Sequence, residues 1–249
     1  AARFQVSRGV DVIKLMTSES RLQPDGSIFW PQEMDYEMIR AAVVEAEKVG
    51  IHTAAHCHGG PGITDTIRAG VTSLEHAHWL TDEQLALMCE HGTYLCPTFS
   101  CNAVLHRRGL EGTDWPAWRT DWLKRVIEDK ADTFDRALAA GVKIVSGSDA
   151  ATSFNYHGRC VEELGFMVDA GMKPMDVIVA ATSRAAQLLG MENLIGSLRE
   201  GMLADLIVVD GDPLADMRVF VEKQNVKLVV KDGVPLVDRM GLADRPCFT

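Results

Sequence analysis

Four polar residues, Lys14, His56, His76 and Asp149, fall at or just beyond the carboxyl ends of short apolar segments that read as successive β-strands. Barrel and open α/β enzymes place their chemistry at that end of a parallel sheet. The residue types point to metal-ion chemistry. His56 lies in Ala55-His56-Cys57-His58-Gly59 and His76 in Glu75-His76-Ala77-His78, so each belongs to an H-x-H pair. Alternate residues of an extended chain share one side, and imidazole nitrogen suits zinc or a similar ion. A single histidine here would read as a hydrogen-bonded core residue; two pairs after consecutive strands favour ligands. Asp149, in Ser146-Gly147-Ser148-Asp149-Ala150, can bind a metal or take a proton from a metal-bound water. Taken alone, it also suits a helix N-cap or a turn. Lys14 sits within Asp11-Val12-Ile13-Lys14-Leu15-Met16, where a buried amine is costly unless paired or chemically altered. Addition of carbon dioxide would turn it into a carbamate whose two oxygens can bridge two divalent cations. The alternative is a strand-end lysine that reaches solvent or pairs with a carboxylate.

The elements that must position these residues alternate along the chain. Asp11 to Met16 reads as a buried parallel strand, and apolar residues at Tyr36, Ile39, Val43, Ala46 and Val49 have helical spacing, with Gly50 as the stop. Ile51 to Cys57, Val71 to Glu75, Tyr94 to Cys96 and Val142 to Ser146 are further strands, each followed by or alternating with a helix. Thr81, ahead of Asp82 and Glu83, is an N-cap candidate. Such alternation indicates a parallel sheet of right-handed β-α units. Between the last two of these strands lies an insertion rich in tryptophan (Trp115, Trp118, Trp122), followed by a helix to Ala140. Helices are expected over about Arg159 to Ala170 and Pro174 to Leu189. The character changes at Gly196: Asp205 to Val209, Val226 to Val230 and Val234 to Val237 are β-branched segments separated by turn signals.

Composition narrows the function classes. The chain has 249 residues and a formal net charge of -10, with His106-Arg107-Arg108 as its densest basic patch, so nucleic acid is not an expected partner. No segment approaches the roughly 18 uninterrupted apolar residues of a membrane span. Six cysteines without a C-x-x-C pair argue against a disulfide framework and for a reducing, cytoplasmic setting.

The motifs Asp11-Val-Ile-Lys14-Leu-Met, Ala55-His56-Cys57-His58-Gly59, Ser73-Leu-Glu-His76, Cys96-Pro97-Thr98, Ser146-Gly-Ser-Asp149-Ala, Tyr156-His157-Gly158 and Gly196 through Pro213 occur in an order that resembles the metal-dependent amidohydrolases related to imidazolonepropionase. Within that group the chain is most similar to the prolidase-like branch, which includes Xaa-Pro and Xaa-Arg/Lys dipeptidases. The resemblance implies an α/β fold: the later part, strands four to eight, of a TIM-like (β/α)8 barrel over residues 1–195, and the C-terminal part of a β-sandwich domain over 196–249. It assigns Lys14 to the carboxylated lysine of the fourth strand, His56 and His76 to the metal-binding histidines of the fifth and sixth, and Asp149 to the aspartate of the eighth. It further implies two zinc ions, and hydrolysis of an amide-type C–N bond in a dipeptide, N-acyl amino acid, carbamate or urea by a bridging hydroxide, with Asp149 moving the proton. His58, His78, His157 and Arg159 become candidates for substrate contact, with Arg107 and Arg108 as further cations for a substrate carboxylate.

The chain also departs from the pattern. The family's first strand carries an H-x-H pair, and no strand precedes Lys14 here, so a separate N-terminal fragment completing the barrel is an expected partner. Relatives often place a tyrosine where Phe99-Ser100-Cys101-Asn102 stands. One alternative is a mononuclear cyclic amidohydrolase or deaminase, but those relatives carry a glutamate three residues after the fifth-strand histidine, where Gly59 stands. The other is a non-catalytic binding protein that keeps the fold. The helical exterior of such barrels commonly supports homo-oligomers.

Overall fold

The computed structural model describes residues 1–112 and 114–242. Its strands are β1 (Val12–Met16), β2 (Arg21–Leu22), β3 (Ile28–Phe29), β4 (His52–Cys57), β5 (Ser73–His76), β6 (Tyr94–Cys96), β7 (Lys143–Ile144), β8 (Leu206–Val209), β9 (Val226–Lys231) and β10 (Val234–Asp238). The helices are α1 (Ala2–Ser7), α2 (Tyr36–Glu47), α3 (Gly62–Arg68), α4 (Asp82–His91), α5 (Phe99–Leu110), α6 (Ala117–Ala140), α7 (Glu162–Asp169), α8 (Pro174–Ala181) and α9 (Ser183–Leu188).

Strands β1-β4-β5-β6-β7 form one parallel sheet in that order, the arrangement expected from the alternating pattern. Parity along the strands divides its faces. Ile13, Leu15, Ala55, Leu74, Leu95 and Ile144 point toward the helices and join Ile39, Val43, Ile63, Ile67, Met88 and Phe134 in one core cluster. At about 25 cal/mol per Å² of apolar surface removed from water, this layer is the main stabilising term of the sheet. The other face carries Lys14 beside Ala54, and His56 beside both Met16 and Glu75. Lys14 is therefore exposed rather than buried, because β1 is the edge strand and its chemical face is open, with Val12 at 47% and Met16 at 45% exposure. The desolvation argument for Lys14 does not apply to this chain as folded.

Local signals explain most boundaries. Asp35 accepts from the Met38 N–H at 2.8 Å to cap α2, and Thr81 forms a full capping box with Gln84 on α4, which Gly92 closes in the left-handed region. Two boundaries differ from expectation. The stretch from Pro174 to Leu189 breaks at Thr182 (φ −127°, ψ −95°) into α8 and α9. The segment after Pro97 is a helix of its own, α5, packed on the long α6. Strands β8, β9 and β10 form a separate antiparallel sheet at the three β-branched segments. Cys247 and the end of the expected second unit lie outside the described residues.

Candidate metal centre

The carboxyl ends of the parallel strands are where the backbone departs from ordinary conformations. His76 (φ 72°) ends β5 and Ala77 (φ 37°) follows it, Thr98 (φ 52°) follows β6, and Asp149 (φ 53°) follows β7. Each left-handed non-glycine residue costs on the order of 1–3 kcal/mol and persists only where its surroundings over-determine it. The Ala77 N–H, for example, is held by the carbonyls of Cys57 at 2.9 Å and Glu75 at 3.0 Å. One consequence corrects the sequence argument: His76 and His78 do not alternate along an extended chain, because the backbone turns between them.

The turns nevertheless bring the histidines together. The His56 ring centroid lies 4.6 Å from that of His58 and 4.6 Å from that of His76, while His58 and His78 stack at 4.4 Å. Glu19, in the loop after β1, contacts His56 Nε2 at 3.0 Å with one oxygen and His58 Nδ1 at 3.4 Å with the other. Ser20 Oγ lies 2.9 Å from the same His58 nitrogen. On the far side, Thr98 Oγ1 lies 2.6 Å from His76 Nδ1. Two ligand sets result. Glu19, His56 and His58 offer one atom each within 4.8 Å of one another, and so do His76, Cys101 and Asp149.

Burial and neighbouring charge keep three of the imidazoles neutral. Burial, then the neighbouring His56 and Lys130, lower the His58 pKa to about 3. Burial first and Lys130 second also hold His76 and His78 well below the ordinary histidine value. Neutral imidazole is the form that binds a metal. Both ring nitrogens of His78 are buried without a hydrogen-bond partner, a rare condition in a protein interior. Buried neutral imidazoles facing carboxylates and a thiol therefore fit a divalent cation in donor type.

Behind these groups lies a buried polar layer. Lys130 of α6 is 1% exposed and donates to Thr98 O at 3.1 Å and to Asn102 Oδ1 at 2.8 Å. Glu163 of α7, fully buried, accepts from Phe99 N at 2.8 Å, Ser100 N at 2.7 Å and Ser100 Oγ at 2.5 Å. It serves as the missing N-terminal cap of α5, whose own preceding residue makes no cap bond.

Among the residues singled out from sequence, His56, His58, His76 and His78 form one cluster, and Asp149 reaches it through His76. Lys14 lies on the same sheet face, and its charge acts on His76. His157 is exposed, and no described contact joins it to the histidines. Arg159 pairs with Glu162, which also takes Arg107 at 3.5 Å, so these arginines serve a carboxylate of their own chain. Arg108 pairs with Glu111 at 2.5 Å. Trp122 stacks on Trp79, itself packed on His78, whereas Trp115 lies under Arg119 and Trp118 is 60% exposed. Glu19, Thr98, Cys101, Lys130 and Glu163 were not among the residues that spacing singled out for chemistry. The one available signal was for Glu19, a carboxylate three residues past a strand end.

A parallel α/β sheet whose carboxyl-end turns gather imidazoles and carboxylates is a barrel-type scaffold with groups that could hold a metal ion. The chain belongs to the amidohydrolase family, whose model matches residues 1–236. Its five parallel strands correspond to the later part of the family's TIM-like barrel. It is 34% identical over 235 residues to ochratoxinase of Aspergillus niger, covering 94% of this chain and 48% of that protein. It is also 26% identical over 203 residues to imidazolonepropionase of Caldanaerobacter subterraneus subsp. tengcongensis, covering 79% of this chain and 43% of that protein. Among solved structures, a Xaa-Pro dipeptidase with methionine bound in its active site superposes with a TM-score of 0.81 at 36% identity, covering 94% of this chain and 56% of that one. The chain thus spans about half the length of the relatives it matches.

Proposed function

We propose that this chain supplies most of the ligands of a metal-dependent hydrolase that cleaves an amide-type C–N bond, in the prolidase-like manner. The observation that carries the reading is that His56 and His76, from adjacent strand ends, pack ring to ring at 4.6 Å, each within its own donor set: Glu19, His56 and His58 on one side, and His76, Cys101 and Asp149 on the other. His56, His76 and Asp149 would hold zinc ions, and Lys14, on the same sheet face, would add carbamate oxygens once its amine takes up carbon dioxide. Bound divalent ions supply Lewis acidity at the substrate carbonyl and a water nucleophilic at neutral pH. Asp149 is the proton carrier: its carboxylate takes the proton from the attacking water and delivers it to the departing nitrogen as the C–N bond breaks. Thr98 holds His76 through Nδ1, and Glu19 and Ser20 hold the His56–His58 pair, so the imidazoles keep their orientation. Trp79 packs edge-on against His78, and Trp122 stacks on Trp79 behind it.

The division at residue 196, a homo-oligomeric state, a cytoplasmic setting and completion of the barrel by a further segment belong to the same proposal. The open face of β1, with Val12, Lys14 and Met16 uncovered, supports the last of these. No described helix is long and apolar enough to cross a membrane. The test is amine release from Xaa-Pro and Xaa-Arg/Lys dipeptides, N-acyl amino acids, carbamates and ureas. The zinc-loaded chain would be assayed alone and mixed with a separately expressed segment carrying a relative's preceding strands. Release that is abolished by a chelator and by Asp149→Asn supports the reading. A zinc-loaded, barrel-complete assembly inert on every class overturns it.

A further inference from the structure

We propose that Cys101 is a metal ligand, coordinating through its sulfur a divalent ion shared with His76 and Asp149; the inference rests on the metal-dependent reading above and names a donor that reading does not use. Cys101 sits in the first turn of α5, directly after the left-handed turn at Thr98, and is 8% exposed. One ligand atom from each of Cys101, His76 and Asp149 lies within 4.8 Å of the other two. Donors on a tetrahedral zinc stand roughly 3.4 Å apart, given metal–ligand bonds of about 2.0–2.3 Å, so side-chain rotations of about an ångström close the set.

Three features of the surroundings favour sulfur as a ligand rather than a bystander. Its present contacts are weak: it lies 3.2 Å from Thr98 O and 3.5 Å from Asn102 Oδ1, and an S–H group is a poor donor, so little is lost when it turns to a metal. Thr98 occupies His76 Nδ1, which leaves Nε2 as the ring's other donor atom. Charge is the third. Lys130, bonded to Thr98 and Asn102, stands among Cys101, Glu163 and Asp149. A cation placed there favours an anionic sulfur beside it. Burial pushes the Cys101 thiol up and the Lys130 charge opposes that rise, so the thiolate forms as the metal binds. On binding, the S–H bond breaks, the proton leaves to solvent and a sulfur–metal bond forms, with no change of oxidation state. A sulfur donor selects zinc, cobalt or cadmium over magnesium.

Cobalt(II) titration of the metal-free chain tests the assignment by absorption. The wild type should develop a near-ultraviolet sulfur-to-cobalt charge-transfer band together with visible d–d bands. Cys101→Ser should lose the former while keeping the latter and the wild-type far-ultraviolet circular dichroism. Cys96→Ser, which removes the other buried thiol on this side of the sheet, should keep both. Cobalt binding without the band, a band that survives in Cys101→Ser, or no cobalt binding overturns the proposal. Should Cys101→Ser fail to fold, zinc-edge X-ray absorption on the wild type decides: one sulfur at about 2.3 Å supports it, and a shell of nitrogen and oxygen alone overturns it. Amine release from the same samples separates the two readings. A sulfur–cobalt band in a barrel-complete assembly inert on every substrate class defeats the hydrolase and keeps the ligand. Hydrolysis without the band does the reverse.

Discussion

Replacing Glu163 by glutamine probes the buried layer behind the proposed metal centre. The wild-type carboxylate accepts three hydrogen bonds, from Phe99 N, Ser100 N and Ser100 Oγ, and is wholly buried. Burial pushes its pKa up, and only the bonds from Ser100 and Phe99 and the charge of Lys130 oppose that shift. Glutamine can accept with one end only. If its NH2 faces Ser100, the hydroxyl can rotate but the Ser100 N–H loses its acceptor; if it faces Phe99, that N–H does. An unsatisfied buried donor costs about 1–3 kcal/mol, and the remaining bonds fall from charge-assisted to neutral strength. The sum is a destabilisation of roughly 3 kcal/mol. For a domain of this size that is a loss of about 6–12 °C in Tm. Urea unfolding followed by tryptophan fluorescence reads it. The same substitution in a Lys130→Met background should cost less by at least about 1 kcal/mol, because the two buried charges interact. A change under about 1 kcal/mol for Glu163→Gln, or strict additivity with Lys130→Met, would refute the view that Glu163 caps α5 and balances Lys130.

Other expectations follow from the same structure. Gly60→Ala would place a Cβ 2.5 Å from Trp30 Cβ at a φ of +79°, so a loss of about 2 kcal/mol or more in unfolding free energy is expected, with altered Trp30 fluorescence. Unfolding below neutral pH should take up protons at His58, His76 and His78. Their folded pKa values are depressed, so the stability they contribute is present above the ordinary histidine pKa of 6.5 and is lost as pH falls below it, for His58 down to about 3. The slope of unfolding free energy against pH in that window should approach about 1.4 kcal/mol per pH unit for each histidine, and a flat profile there would contradict their burial as neutral bases. Thr98→Ala removes the contact to His76 Nδ1 and should weaken zinc binding about 10–100-fold in a competition titration, with the fold retained by circular dichroism. Saturating zinc at about 100 times its Kd should stabilise the chain by about 2.7 kcal/mol, read as a rise in the urea midpoint.

The fold was legible where local signals and long-range packing agree. The short apolar runs from Ile13 to Ile144 and the N-cap at Thr81 mark strands and helices from their own residues. Helix α5 escaped notice for a physical reason: its N-terminus carries no capping side chain of its own and is closed by Glu163, some sixty residues downstream. Lys130 likewise reads as one more polar residue on a charged helix, and only the approach of Thr98 and Asn102 makes it a buried cation. At the site, the histidines were visible because each follows a strand. Glu19 and Cys101 were not visible as donors, since neither spacing nor neighbours tie them to His56 and His76 until the turns bring them there. Lys14 shows the converse error: an apolar strand sequence suggested burial, but burial depends on what lies beside the strand, and β1 is an edge.

The most direct measurement is an anomalous-difference map at the zinc edge from crystals of the zinc-loaded protein. Peaks within bonding distance of His56, His76 and Asp149, removed by His76→Ala, are the predicted result. Zinc confined to surface histidines such as His91 or His157, with the strand-end cluster bare, would contradict the account.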